Sequence, residues 1–415
     1  MLNKVHSLFS KVKKVNLKDN IKTIKSCDVL LFCHDVDRSI SLNNQAYSPL
    51  LDSIKDELEK NGLTCITIAH PWSEIIGKLG YGSPIAINRS YFIATIMDNL
   101  SKRHESDNVF KLYKRIITKS KAKLIITIGC NDDLCEAARS LDVFHAELLH
   151  GIGYKPIPWN WDKKEKMHLP QCIFSLDEVS TQTFLELEKY GVIIKEIAHP
   201  FLRRFESKNI DNLPQEWLPP NKKDKYEKEI LVSLQWGYTA GIDEFEYFEG
   251  FLSNGLFYDE LEEVIRKTNK KIFWHFRFHP VQYLQMNKYK QLFDFMDEFV
   301  RKYENCGWKE STYIPLPSML SRCSGHITMS SMTTYEAAYL GIPTLALCPS
   351  LRENGVYEEF FNDLVAKEYL IKHLSNINFI LDWVNNVEKI SPMLKEINSN
   401  FDIFNWLSYN ILDNN

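Results

Sequence analysis

Residues 28–69 read DVLLFCHDVDRSISLNNQAYSPLLDSIKDELEKNGLTCITIA, and the punctuation of this stretch decides the fold. Asp28 to Cys33 is a short, apolar, β-rich run and reads as a strand; His34 to Gln45 is a polar loop; a helix starts near Pro49. Ser48 can cap its first turn, Pro49 suits the first helical position, and Leu50, Leu51, Ile54 and Leu58 form one apolar face. Gly62 stops the helix, and Leu63 to Ala69 follows at once as a second strand.

The same alternation continues outward. Strands are expected at Lys123 to Ile128, Val143 to Leu149, Cys172 to Ser175 and Val192 to Ile197, with helical stretches such as Thr181 to Lys189 between them. Strands alternating with helices predict parallel sheets covered on both faces, so the fold class is α/β. From Asn209 to Lys228 the character changes to Pro214, Pro219, Pro220 and the charged run NKKDKYEKE, which reads as a linker. A second domain opens with strand Ile230 to Leu234. It continues through a helix carrying Leu261, Val264 and Ile265, then strands Lys271 to Phe278, Gly325 to Met329 and Thr344 to Leu347. The expected organisation is a basic segment over 1–25, a Rossmann-like domain over 26–208, a linker over 209–228, and a second Rossmann-like domain over 229–392. A C-terminal helix over 393–415, able to cross back to the first domain, completes it. Two such sheets facing a cleft would bind ligands beyond the carboxyl ends of their strands.

Composition bounds the function. A chain of 415 residues exceeds one usual core, and 44% hydrophobic with 25% charged residues is ordinary for a folded protein. A formal charge of -4 and a pI near 6.3 argue against nucleic acid as a partner, since neutralising phosphates needs a basic surface. No apolar run is long enough to span a bilayer, and no secretory leader is evident, so a cytoplasmic location is expected. Nine scattered cysteines without a CxxC pair read as reduced core residues. Residues 1–25 carry Lys4, Lys11, Lys13, Lys14, Lys18, Lys22 and Lys25 against Asp19, interleaved with Leu2, Val5, Leu8, Phe9 and Val12. Such a segment is either a solvated helix or a peripheral contact with anionic lipid at the inner membrane.

The densest chemistry lies in the second domain. Strand KIFWHFRF ends in His279-Pro280, and strand GHITM ends in Ser330-Ser331 before TTYEAAYLG. Two hydroxyls and free backbone N–H groups at a helix start make an anion site, which suits a nucleotide phosphate. His279 can donate to the same phosphate, with Pro280 fixing its loop; Arg277 lies on the same side of the strand. Glu336 lies one turn further on, within reach of ribose hydroxyls. Gln235, at the end of the domain's first strand, is a further donor contact. Against this, Ser330 can be a simple cap and His279 a structural residue.

The HP pair followed by SSMTTYEAAYLGIPT resembles the donor site of bacterial transferases that use CMP-activated sugars, the sialyltransferases and Kdo transferases of capsule and O-antigen assembly. The match covers mainly residues 271–348. Glu147-Leu148-Leu149-His150-Gly151 is similar to an ELQHG-type segment of polysaccharide-assembly transferases, with Leu149 where Gln is common. The resemblance implies a metal-independent glycosyltransferase of the two-domain GT-B fold. His279, Ser330 and Ser331 would then hold the nucleotide phosphate, and Glu336 would lie near the ribose. The implied partners are a nucleotide-sugar donor and a lipid-linked or oligosaccharide acceptor, with no cofactor beyond the donor.

For the reaction itself the first domain offers Asp35, Glu147 and His150 as catalytic candidates, each at a strand end or inside one. Asp37 is a candidate acceptor contact, or pairs with Arg38 on a solvated loop. Tyr154, Trp159 and Trp161 in GIGYKPIPWNW can stack on acceptor sugars or pack as anchors. Glu147 stands in an apolar strand, where an unpartnered charge is costly, so it is either paired or functional. No metal-ligand spacing occurs, and Asn131-Asp132-Asp133 reads as a helix cap. Three alternatives stay open: a UDP-hexose transferase of the same fold, a nucleotide-sugar epimerase, and a non-catalytic nucleotide-sugar-binding subunit.

Overall fold

A computed structural model describes residues 16–100, 107–206, 212–218, 223–239, 241–242, 248 and 250–393. The chain divides into two compact units, the first running through Phe201 and the second spanning Leu202–Asn398. Residues 1–15 of the basic segment and the C-terminal helix expected beyond Met393 lie outside the described residues.

The first unit follows the expected alternation. Its elements are β1 (Val29–Cys33), the hairpin β2 (Ile40–Leu42) and β3 (Gln45–Tyr47), α1 (Leu51–Lys60), β4 (Cys65–Ala69), α2 (Asn88–Leu100), α3 (Asn108–Ser120), β5 (Leu124–Thr127), α4 (Asp132–Ser140), β6 (Phe144–Leu148), β7 (Cys172–Ser175), α5 (Glu178–Phe184) and β8 (Ile193–Glu196). Six strands form a parallel sheet in the order β4-β1-β5-β6-β7-β8. Every residue of β1 is buried, as a strand covered on both faces must be. The predicted punctuation of α1 is realised: Ser48 Oγ accepts the Leu51 amide at 3.2 Å, Leu51, Ile54 and Leu58 are buried, and Gly62 takes φ 85°. Asn131 caps α4 as expected, its side chain accepting from the Leu134 amide at 2.9 Å.

The polar loop expected over His34 to Gln45 is instead largely the hairpin β2–β3. Its turn residues Asn43 and Asn44 take φ 51° and 61°, a left-handed conformation that asparagine tolerates. The helix expected over Thr181 to Lys189 starts earlier, because Asp177 caps it by accepting the Ser180 amide at 2.7 Å.

The second unit comprises β9 (Lys228–Ser233), α6 (Asp259–Lys267), β10 (Ile272–Arg277), α7 (Pro280–Leu284), α8 (Lys290–Lys302), β11 (Cys306–Gly307), α9 (Lys309–Tyr313), α10 (Leu316–Leu320), β12 (Gly325–Thr328), α11 (Thr333–Tyr339), β13 (Thr344–Ala346), α12 (Asn362–Ala366), β14 (Leu370–Lys372) and α13 (Ile377–Asn386). Its parallel sheet runs β11-β10-β9-β12-β13-β14. In order of appearance that is 3-2-1-4-5-6, the Rossmann arrangement, with the order reversing between β9 and β12. In the first unit the corresponding reversal lies between β1 and β5. Both sheets are thus Rossmann-like, as the alternation predicts.

Trp217, inside the stretch that composition marks as linker, is fully buried, and its carbonyl accepts from Ser318 Oγ. All nine cysteines are free; Cys65 and Cys130 are half-buried and the rest buried. No helix among the described residues is long and apolar enough to cross a membrane.

Gly341 ends α11 at φ 74°, and a Cβ there would overlap the carbonyl oxygen of Ile390, whose amide bonds Gly341 O at 2.9 Å. Gly341→Ala therefore combines left-handed strain with a backbone clash and costs about 3 kcal/mol. Urea unfolding of the variant should show this loss; an unchanged midpoint would refute the close approach.

Candidate functional site

Where strand order reverses, the loops leaving neighbouring strands diverge and open a crevice at the carboxyl edge. In the second unit those loops carry Gln235, after β9, and Ser330 and Ser331, after β12. Gln235 Nε2 donates to Ser330 Oγ at 3.0 Å, and the Ser330 amide donates to Gln235 Oε1 at 2.7 Å. Both ends of the Gln235 amide are engaged in this pair, so Gln235 fixes Ser330 rather than standing open as a ligand contact. Tyr238 adds its hydroxyl 3.2 Å from Ser330 Oγ and 3.2 Å from Cys348 Sγ. Ser330 is therefore more than a cap. Ser331 Oγ accepts the Thr333 amide at 3.3 Å. Among the described residues, no acceptor takes the amides of Ser331 and Met332, which leaves two adjacent donors at the mouth of the crevice.

His279 follows β10 and is the N-cap of α7. Its Nδ1 accepts the Val281 amide at 3.2 Å, and its own amide donates to Gln282 Oε1 at 3.0 Å, a capping box with Pro280 in the first turn. An accepting Nδ1 places the imidazole proton on Nε2, so the ring presents a donor. The Trp236 ring lies 6.2 Å from the imidazole at 24°, and Trp236 is itself held by Nε1 donating to Tyr289 at 2.8 Å.

Arg277, expected to face the nucleotide, spends Nη1 on the carbonyls of Ser311 and, at 2.6 Å, Ile314. It anchors the loop beyond β11. The correction follows from position: the last residue of β10 lies beside a bend with unpaired carbonyls, and a guanidinium satisfies two at once. Its charge also reaches Glu336. Burial pushes the Glu336 carboxyl up to about 7, with Arg277 opposing, and no donor among the described residues bonds it.

In the first unit, His34 follows β1 and His70 follows β4. Their rings stack at 3.5 Å and 11°. Burial, reinforced by the neighbouring His34, pushes His70 down to about 3, so the inner ring of the stack is neutral. Gly129, after β5, approaches closely: at φ 82°, a Cβ there would lie 2.6 Å from His34 Nε2. His150, after β6, is exposed, and in its protonated form it would act electrostatically on both His34 and Asp37. Burial pushes the Asp37 carboxyl up to about 6 against the pull of His150, and Asp37 Oδ2 has no hydrogen-bond partner among the described residues. Asp37 does not depend on Arg38, which is buried and bonds Asp52 at 2.8 Å and Ala46 O at 3.1 Å.

Three sequence candidates prove to be anchors. Glu147 is 2% exposed; its Oε1 accepts the Gly129 amide at 2.6 Å, and its Oε2 accepts from Cys130 N at 3.1 Å and from Thr127 Oγ1. It is paired, and it fixes the β5 loop against which His34 rests. Asp35 Oδ2 accepts the amides of Glu74 and Ile75 at 2.7 and 3.3 Å, so it ties down a neighbouring loop. Trp161 is 4% exposed and packs in the core against Phe184 at 5.8 Å, which removes it as a stacking platform.

Trp159 is 53% exposed and stands 6.2 Å from the His150 ring at 29°. It and Asn160 take φ 57° and 53°, a conformation that side chains adopt at a cost of order 1 kcal/mol each. Tyr154 is half-buried nearby in the chain. Cys130, His145 and Glu147 bring one ligand atom each within 4.8 Å of one another, the one such group among the described residues. Both Glu147 oxygens already accept N–H or O–H donors, so a metal would have to displace them. His34 and His70 are not singled out by the sequence reading, although each directly follows a strand and His70-Pro71 repeats the HP pair.

No family model matches this chain, and no curated protein does. Solved structures do. A UDP-GlcNAc 2-epimerase from Methanocaldococcus jannaschii is similar over 92% of this chain and 99% of its own, at 13% identity and a TM-score of 0.50. The wall teichoic acid polymerase TagF matches over 93% of this chain and 89% of its own, at 13% identity and a TM-score of 0.52. A UDP-GlcNAc 2-epimerase from Neisseria meningitidis, solved with UDP-GlcNAc, matches over 85% and 89%, at 14% identity and 0.50. Identity this low speaks for architecture alone. The fold is GT-B.

Glu147 offers a direct test of the anchor assignment. Burial holds its carboxyl at about 7, against its hydrogen bonds, so the protonated form is favoured in the folded state. Its contribution to stability is thus full below about pH 4.5 and is lost as pH rises towards 7. Glu147→Gln strands the Cys130 amide opposite an NH2 group and costs about 1–3 kcal/mol at low pH. It should also flatten that part of the pH dependence in urea titrations. A variant with an unaltered pH profile would show that Glu147 does not titrate in this range.

Proposed function

We propose that the protein is a metal-independent glycosyltransferase that uses a nucleotide-activated sugar, CMP-Kdo or a related CMP-sugar, to extend a capsule, O-antigen or lipopolysaccharide glycan. The observation that carries this reading is the pair of donors at the strand reversal of the second unit, the Ser331 and Met332 amides beside Ser330, which meet no acceptor among the described residues. A phosphate leaving group gains negative charge as the glycosidic bond breaks, and fixed donors at that edge stabilise it. The CMP and Kdo assignments rest on the resemblance of the HP and SSMTTYEAAYLGIPT segments, and the Glu336 carboxyl is suited to ribose hydroxyls.

The first unit supplies the base. On the first unit His150 is the candidate base for the acceptor hydroxyl, whose oxygen bonds the anomeric carbon as the bond to the leaving nucleotide breaks. Asp37 orients His150 and balances its acquired charge. This order of events inverts the anomeric centre, because a single displacement has no covalent intermediate. Trp159, held beside His150, and Tyr154 are the platform for the acceptor sugar.

A second reading has a specific observation behind it: two of the similar structures are UDP-GlcNAc 2-epimerases. An epimerase of that kind would turn over its UDP-sugar with no acceptor present, whereas a transferase would not.

Two measurements test these readings. In a thermal-shift panel of CMP, UDP, GDP, TDP and CDP, selective stabilisation by CMP is expected, since a ligand bound only by the folded state raises the transition. Selective UDP stabilisation would move the assignment to a hexose donor or an epimerase, and no response at all would sink the nucleotide site. His279→Ala should weaken CMP binding by about tenfold to a hundredfold, the worth of one hydrogen bond to a charged group. His150→Ala should leave nucleotide affinity intact while lowering kcat by about 10²–10⁴. Full activity in the His150 variant would remove it as the base.

A further inference from the structure

Helices α2 and α3 cover one face of the first sheet side by side. Ala94, Val109, Leu112, Tyr113 and Ile116 pack with Phe32 in one core, and the rings of Tyr91 and Tyr113 meet at 6.5 Å. The face of α2 turned away from this core is unusual for a surface helix. Ile93, Met97 and Leu100 are 50%, 51% and 56% exposed, and Ile96 is half-buried beside them. Their spacing of i, i+3, i+4 and i+7 puts all four on one stripe, with exposed Arg89 at its start.

Along α3 the charges beside this stripe are cationic, while Asp107 at the start of α3 and Asp133 of α4 stand near Asp98 at the far end of α2. Residues 108–120 of α3 contain Lys111, Lys114, Arg115 and Lys119 and no acid. The one acid of α2, Asp98, is consumed at the start of α3, accepting from Asn108 N at 2.9 Å, Asn108 Nδ2 at 2.7 Å and Val109 N at 3.1 Å. The basic N-terminal segment enters at the same place. Asn88 Nδ2 donates to Asn16 O at 2.7 Å, and the Ser90 amide donates to Asp19 Oδ2 at 2.8 Å. Lys119 Nζ then bonds the carbonyls of Ile21 and Lys22 at 3.0 and 2.7 Å. Residues 1–15, which carry Lys4, Lys11, Lys13 and Lys14 and no acid, therefore join the described structure at the first turn of α2.

We propose that the outer face of α2 and α3 is a docking surface for an anionic lipid bilayer. Ile93, Ile96, Met97 and Leu100 enter the headgroup boundary, and Lys111, Lys114 and Arg115 contact the lipid phosphates. Exposed apolar side chains among cations match a surface whose interior is apolar and whose rim is anionic. A nucleic acid would use the cations and leave the apolar stripe in water. The surface stands apart from the proposed reaction and is tested without substrate.

The experiment is co-sedimentation of the full chain with phosphatidylcholine vesicles, with and without phosphatidylglycerol, across a range of salt. Binding is expected only to the anionic vesicles and should fall as salt rises. Each cation near such a surface contributes on the order of fivefold, so Lys111→Ala with Arg115→Ala should weaken binding by about tenfold or more. Ile93→Ser, Met97→Ser and Leu100→Ser together should do the same while leaving Tm unchanged, because these side chains are exposed in the folded chain. Failure of the wild-type chain to bind anionic vesicles would overturn the proposal. So would equal binding by the apolar triple variant. Light scattering that shows a dimer abolished by that variant, with vesicle binding retained, would assign the face to a second copy instead.

Discussion

The reversal of strand order at the first strand of each sheet is the constraint on which the candidate chemistry depends. A parallel strand satisfies its backbone groups through its neighbours, but the loops beyond its carboxyl end must find other partners. Where adjacent connections cross to opposite faces, those loops part and leave donors exposed. In the second unit this happens between β9 and β12, and the two loops are joined through the Gln235–Ser330 pair and the Tyr238 hydroxyl. That pair fixes the chain just before the Ser331 and Met332 amides, which meet no acceptor among the described residues. In the first unit the reversal lies between β1 and β5, and the close approach of Gly129 to His34 is its counterpart.

The opposite end of β9 shows what the sheet does with charge when no ligand is intended. Glu229 is 1% exposed and accepts from His275 Nε2 at 2.6 Å, from Arg322 Nη2 at 2.6 and 2.7 Å, and from the Lys223 amide at 2.9 Å. Burial alone would raise its carboxyl, yet these bonds hold it down at about 2. The group is a saturated anion that ties β9, β10 and the turn before β12 together. Losing one partner would leave buried charge uncompensated, which is far costlier than losing a surface pair. The two ends of β9 thus differ in kind: at one, four hydrogen bonds converge on Glu229, and at the other the Ser331 and Met332 amides meet no acceptor among the described residues.

How much of this was legible in the sequence follows from how local each signal is. Strand and helix positions were legible because periodicity and caps act within a few residues; Ser48, Gly62 and Asn131 behave as their types dictate. The hairpin at Ile40–Tyr47 was missed because its strands are three residues long and its turn is Asn-Asn without glycine. Side-chain fates were less legible. Whether Arg38 serves Asp37 or Asp52 depends on α1 folding back, fourteen positions along. Trp159 and Trp161 are two residues apart, and only the left-handed turn between them sends one to solvent and the other into the core. Arg277 and Gln235 sit at the edge that was expected, but the carbonyls of Ser311 and Ile314 and the backbone of Ser330 claim them first.

The same competition separates anchors from reactive groups. A group that performs chemistry must change its hydrogen bonds during the reaction, whereas an anchor must keep them. For Glu147 to attack or accept a proton it would have to release Thr127 and the Gly129 and Cys130 amides. Each buried donor left unpaired costs about 1–3 kcal/mol, added to whatever barrier the chemistry already has. Asp37 faces no such obstacle: among the described residues its Oδ2 has no partner to give up, and its burial makes the gain of a cationic neighbour more favourable. In the proposed reaction a proton on His150 would supply that neighbour. The group best placed to stabilise a reaction is therefore the one that the folded protein leaves incompletely satisfied, and the group that looks most anomalous in the sequence, a glutamate in an apolar strand, is the one whose bonds are complete.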